Sequence, residues 1–276
     1  MNTLCLMLAA VWMAGDSTMC NYADRQYPQQ GWGQALGVLM KNPDDLHNRA
    51  IGGRSAKSFK AEGRWDKLVS ELKAGDFVII AFGHNDANKK KTERYSTPAD
   101  YKELMRGFAN DVLAKKATPV FATSIPHSGG VSTNKEGVVS VRGGAAGIGS
   151  YVATTVALAE EKKLDCVNLN RIACETWPKW KLEDIYKLYM RIKPGEYDRL
   201  PKGQSDGCHT RDTGAYFFAS AFVREAIDRK LPIAKEFKDP KDVVYTPIPK
   251  SGPAPRKKPM RDDFSKEEIP YAGAGK

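Results

Sequence analysis

Three residues in this chain have the types and spacing of a hydrolytic relay: Ser17, Asp206 and His209. A serine hydroxyl becomes a nucleophile only with a base in hydrogen-bond reach, and histidine is the usual one. The histidine in turn needs a partner that fixes its tautomer and stabilises the imidazolium. In "DGCHT" (206–210), Asp206 stands three residues before His209. That spacing lets both side chains share one short loop, the carboxylate on Nδ1 and Nε2 left free for serine. An attacked carbonyl also needs donors for its oxyanion. The backbone N–H groups of Ser17 and Gly53 and the side-chain amide of Asn85 are the candidates, glycine being suited to close backbone approach.

Each segment has an ordinary reading when taken alone. "GDST" (15–18) is turn-like, "GGRS" (52–55) can cap a helix, "FGHND" (82–86) can be a polar turn, and a lone histidine is most often a surface residue. Their convergence depends on the elements that carry them. Residues 8–14, 76–82, 118–124 and 164–169 are apolar runs of the kind that form strands buried on both faces. Helical patterns fall between and after them, at 97–116, 150–163 and 212–230. The first of these opens on Thr97 as cap and Pro98 in the first turn. Strands alternating with helices predict a parallel sheet covered on both faces, and ligands of such sheets sit beyond the carboxyl ends of the strands. The four polar segments fall there.

The 276 residues, 41% hydrophobic and 28% charged, suffice for a large core and argue against wholesale disorder. The net charge of +10 suits an anionic polymer, nucleic acid or an anionic membrane, or simply serves solubility. Five cysteines without a C-x-x-C pair form neither a disulfide framework nor a zinc ribbon. One or two bridges stay open, with Cys166 and Cys174 nearest in sequence. The apolar start lacks the basic residues of a signal peptide and is read as the first strand. Residues 128–150 read as a long Gly-rich loop lining a site. The chain divides into a domain at 1–238 and a Pro- and charge-rich extension at 239–276.

The blocks GDS, Gly, G-x-N-D and D-x-x-H, in this order, resemble the SGNH (GDSL) hydrolase superfamily. The fuller strings "AGDSTM", "GWG" (31–33), "GGRSAKSF", "FGHND" and "KPGEY…DGCHT" resemble its rhamnogalacturonan acetylesterase branch, over roughly residues 9–229. The resemblance implies a flavodoxin-like three-layer α/β/α sandwich with a five-stranded parallel sheet. It implies Ser17 as nucleophile, His209 as base, Asp206 as its orienter, and Ser17, Gly53 and Asn85 as oxyanion donors. It implies no metal or other cofactor, a secreted or periplasmic location, and an acetylated polysaccharide substrate, anionic pectin first. Acetylated xylan or small esters are the alternative, and a non-catalytic carbohydrate-binding module the lesser one. A nucleic-acid partner rests on charge alone and is not expected, nor is a membrane partner; the expected state is a monomer.

The sequence departs from the branch in two places. Gly207-Cys208 stands where bacterial relatives often have Asn-Thr, with Thr210 where Phe often follows the histidine. Residues 126–149 replace a region that is often Arg-rich. Both leave the chemistry intact and the sugar open. Asp16, Arg54, His84 and His127 are the candidate substrate contacts, and Arg54 is also suited to bracing its own loop. Trp32 reads as core, with a sugar platform as the alternative, and "NKKKTER" (88–94) as a solvated rim. "GQSDG" (203–207) matches G-x-S-x-G but has no strand before its serine, so it is set aside.

Overall fold

The computed structural model describes residues 9–245. In chain order the elements are β1 (Val11–Gly15), α1 (Trp32–Leu39), β2 (Leu46–Asn48), α2 (Ala56–Ala61), α3 (Arg64–Glu71), β3 (Phe77–Ala81), α4 (Pro98–Ala114), β4 (Thr118–Ala122), β5 (Val131–Thr133), β6 (Val139–Val141), α5 (Gly149–Lys162), β7 (Asp165–Val167), α6 (Leu169–Thr176), α7 (Leu182–Tyr186), β8 (Tyr189–Ile192), β9 (Gln204–Thr210) and α8 (Asp212–Asp228). Five strands form one sheet in the order β2-β1-β3-β4-β7, every neighbouring pair parallel. This is the flavodoxin-like doubly wound order, with its switch point between β1 and β3.

The apolar runs are continuous because both faces of the sheet are buried. Val11, Met13, Phe77, Ile79 and Val120 face a layer containing Trp32, Phe218 and Phe222 from α1 and α8. Trp12, Ala14, Val78, Ile80 and Phe121 face Trp65, Tyr101, Phe108 and Leu158 from α3, α4 and α5. Stacked pairs close each layer: Trp32 on Phe222 at 5.6 Å and Trp65 on Phe108 at 4.0 Å between centroids. Trp32 is therefore core and not a sugar platform. Thr97 caps α4 as its sequence predicts, its hydroxyl accepting from the Asp100 N–H at 3.1 Å.

Several expectations are corrected. The fifth strand, β2, carries no apolar run. Residues 128–150 are not one irregular loop: β5 and β6 pair antiparallel within it, and Ser132 and Ser140 hydroxyls meet across them at 2.9 Å. Asp206 and His209 lie on β9, paired antiparallel to β8 with a register shift between Tyr189 and Arg191, not on a free loop. Cys166 and Cys174 are both free thiols. Residues 239–245 pack onto α8, with Tyr245 stacked on Tyr216 at 4.0 Å. The rest of the expected extension lies outside the described residues, and so does Cys5. No helix among the described residues is long and apolar enough to cross a membrane.

Candidate active site

Ser17 sits one turn beyond the carboxyl end of β1. Asp16 builds that turn. Its Oδ1 accepts from the Thr18 N–H at 2.9 Å and the Thr18 hydroxyl at 2.8 Å, while its carbonyl accepts from the Met19 and Cys20 N–H groups at 3.1 and 3.0 Å. The carboxylate is 1% exposed and raised from its ordinary pKa by burial, which outweighs the Thr18 hydrogen bonds. Asp16 shapes the nucleophile turn through Oδ1 and its carbonyl, a role the sequence reading does not assign to it.

The "GWG" segment braces the turn from below. Trp32 and Gly33 N–H groups at the start of α1 donate to Thr18 and Met19 carbonyls at 2.9 and 3.1 Å. A Cβ on Gly33 would lie 2.6 Å from the Met19 carbonyl oxygen, and one on Gly31 would lie 2.2 Å from that of Cys20. Only glycine lets the helix come this close. Asn48, at the end of β2, donates to the Met19 carbonyl at 2.9 Å and accepts from the Ala50 N–H at 3.1 Å. It couples the serine turn to the next loop.

That loop brings Gly52 and Gly53 to the nucleophile. A Cβ on Gly52 would stand 3.8 Å from Ser17 Cβ, and Gly53 adopts a φ of +76°, a conformation that favours glycine. Arg54 is consumed here: it donates to the Gly52 carbonyl at 3.0 Å and to both Glu62 oxygens at 3.1 and 3.2 Å. It holds the loop, one of the two readings open to it. Asn85, in the turn after β3, donates to the Arg54 carbonyl at 3.0 Å. One amide hydrogen thus anchors the carboxamide beside Gly53 and leaves the other for a ligand. Asp86 had no role assigned from sequence. It is fully buried and accepts from the Ala56 N–H at 3.0 Å, joining the β3 turn to α2. Burial pushes its pKa up to about 8.

His209 completes the arrangement from β9. Its Nε2 lies 2.9 Å from Ser17 Oγ and its Nδ1 lies 2.6 Å from Asp206 Oδ2. The other Asp206 oxygen accepts from the Cys208 and His209 N–H groups at 2.8 and 3.1 Å. Burial alone would raise the Asp206 pKa, yet the His209 hydrogen bond and charge outweigh it and hold the group at about 2. Burial would likewise lower His209, and the same Asp206 contact reverses the sign, leaving it above the ordinary imidazole value. Thr210 secures the strand end: its hydroxyl donates to the Gln30 carbonyl at 2.6 Å. Arg191 and Ser128 support Gly207 from outside, through Arg191 Nε to Ser128 Oγ at 2.7 Å and Ser128 Oγ to the Gly207 carbonyl at 3.3 Å. Ser205, the serine of "GQSDG", is exposed on β9 and no helix follows it directly.

His84 and His127 turn toward each other. His84 Nδ1 lies 3.2 Å from His127 Nε2, with the rings edge to face. Burial lowers their pKa values to about 3 and about 4, so both rings are neutral at neutral pH. Cys208 Sγ lies 4.0 Å from the same His84 nitrogen. This convergence of three segments leaves no trace in sequence spacing.

The arrangement can deliver a serine alkoxide to a carbonyl carbon and stabilise the resulting oxyanion. Comparisons with known proteins give the family. The chain is 29% identical over 223 residues to a rhamnogalacturonan acetylesterase, RhgT, of Bacillus subtilis, covering 81% of this chain and 91% of that one. It is 28% identical over 229 residues to a probable rhamnogalacturonan acetylesterase, YesY, of the same organism, covering 82% and 95%. The crystal structure of YxiM from Bacillus subtilis superposes with a TM-score of 0.67 at 27% identity, covering 81% of this chain and 57% of that longer one. Residues 13–215, from within β1 ahead of Ser17 to the first turn of α8 beyond His209, match the GDSL-like lipase/acylhydrolase model, and the chain belongs to that family.

Proposed function

We propose that the protein is a serine esterase that removes O-acetyl groups from a plant cell-wall polysaccharide, with acetylated rhamnogalacturonan as the polymer. The observation that carries this reading is the continuous relay from Asp206 through His209 to a half-buried Ser17 hydroxyl. Support for the polymer comes from the two Bacillus relatives, which align over about four fifths of the chain. The net charge of +10 suits the carboxylates of a pectic backbone.

In this mechanism His209 Nε2 takes the Ser17 proton as Oγ attacks the acetyl carbonyl. The tetrahedral oxyanion accepts hydrogen bonds from the Ser17 and Gly53 N–H groups and from the free amide hydrogen of Asn85. Asp206 stabilises the imidazolium and keeps its hydrogen on Nδ1. Collapse breaks the ester bond, and the sugar oxygen leaves with the proton from Nε2. Water, deprotonated by His209, then attacks the acetyl-serine and releases acetate.

The test is acetate release from acetylated rhamnogalacturonan, acetylated xylan and 4-nitrophenyl acetate, with the parent and Ser17→Ala side by side. Ser17-dependent release that favours the pectic polymer supports the reading. Release mainly from xylan or the small ester keeps the mechanism and overturns the substrate.

A further inference from the structure

We propose that His84, His127 and Cys208 form a binding site for a divalent transition metal of borderline softness, for which zinc and cobalt are the appropriate probes. The three residues come from the turn after β3, the segment after β4, and β9. One potential ligand atom from each lies within 4.8 Å of the other two. His84 Nδ1 stands 3.2 Å from His127 Nε2 and 4.0 Å from Cys208 Sγ. A tetrahedral zinc ion with its usual bonds to nitrogen and sulfur sets such atoms roughly 3.3–3.7 Å apart. The two His84 distances fall within about half an ångström of that spacing, and the third pair lies within 4.8 Å.

The donor set selects the ion. Two imidazoles and a thiol, with no carboxylate among them, match zinc, cobalt or copper and not magnesium or calcium, which take oxygen ligands. Three protein ligands leave one tetrahedral position open. The three atoms are aimed at one another and not at separate partners. Between the two facing imidazole nitrogens there is room for one hydrogen only. A cation at the centre would engage all three inward atoms together.

Two of the ligands, His127 and Cys208, come from the segment after β4 and from β9. They are distant in sequence and meet at His84. The site adjoins the relay without sharing a side chain with it, since Cys208 touches Asp206 only through its backbone N–H, at 2.8 Å.

The experiment uses the full chain, reduced and stripped of metal, titrated with Co2+. One equivalent should bind, with sulfur-to-cobalt charge-transfer absorption in the near ultraviolet and the strong visible bands of four-coordinate cobalt, both bleached by Zn2+. Cys208→Ser should lose the charge-transfer band, and Cys208→Ser and His127→Ala should each weaken zinc binding by more than about tenfold. Far-ultraviolet circular dichroism checks that the variants are folded. X-ray absorption at the zinc edge of the parent complex reads the coordination shell without any variant, and one sulfur with two imidazole nitrogens is expected. Failure of the parent to bind, a shell without sulfur, or a charge-transfer band that persists in Cys208→Ser would each overturn the assignment and leave the three side chains as a hydrogen-bonded cluster. None of these readouts depends on esterase activity, so the outcome is separable from the proposed function.

Discussion

Asp206 grips His209 twice: one carboxylate oxygen lies 2.6 Å from the ring Nδ1, and the other accepts the His209 backbone N–H at 3.1 Å. The ring is therefore fixed in tautomer and direction before any substrate arrives. Asp206→Asn keeps the size but offers an N–H or a neutral oxygen to Nδ1. We expect kcat for 4-nitrophenyl acetate to fall by about 10²–10⁴, with KM little changed. A variant with near-parental kcat would show that the orienting contact is dispensable.

The same contact sets the pH dependence. His209 must be neutral to act as base, and its pKa lies above the ordinary imidazole value because Asp206 outweighs burial. Activity should therefore be lost as pH falls through a midpoint above about 6.5. His84 and His127, at about 3 and about 4, are neutral throughout that range. The signs for stability follow from linkage. The His209 contribution is complete below its unfolded pKa and is lost as pH rises through the raised folded value. The Asp206 contribution is complete above its unfolded pKa and is lost as pH falls toward about 2. Denaturant unfolding should show Asp206→Asn destabilising the protein more at about pH 5.5 than at about pH 9. A larger effect at the alkaline end would contradict this assignment.

Asn85 is anchored by one amide hydrogen on the Arg54 carbonyl, with the second left for the oxyanion. Removing one such donor typically costs about 10²–10³ in kcat. Asn85→Ala should show that loss in kcat more than in KM, while Asn85→Asp should not restore the rate, since a carboxylate repels the oxyanion. A loss confined to KM would place Asn85 in ground-state binding.

Gly33 allows α1 to approach the nucleophile turn. A methyl group there would meet the Met19 carbonyl oxygen, Met19 Cγ and Asn48 Nδ2, all at 2.8 Å or less. Gly33→Ala should cost about 1–3 kcal/mol in chemical denaturation and lower kcat by displacing the Ser17 turn. Unchanged stability and rate would show that the contact relaxes freely.

The sheet was legible where burial on both faces leaves an uninterrupted apolar run, as in "DFVIIAF" around β3. The edge strand β2 was not, because Leu46-His47-Asn48 is short and its asparagine serves the loops. The hairpin of β5 and β6 was hidden by Gly, Ser and Asn, which read as loop. Ser17, Asp206 and His209 were legible because a hydroxyl, a carboxylate and an imidazole stand in the ordered blocks GDS and D-x-x-H that resemble the SGNH hydrolases. The bracing roles of Asp16 and Arg54 do not show in composition, because their partners Thr18, Gly52 and Glu62 are set by the fold. The meeting of His84, His127 and Cys208 depends on three connections across the sheet, which no local pattern encodes.

The most direct measurement of the central claim is the site of covalent capture by an alkyl fluorophosphonate, read by peptide mass mapping. A single adduct on Ser17, formed at a rate that falls sharply in Asp206→Asn and absent from Ser17→Ala, is the predicted result. Capture at another residue, or no capture by a folded parent protein, would contradict the assignment of Ser17 as the nucleophile.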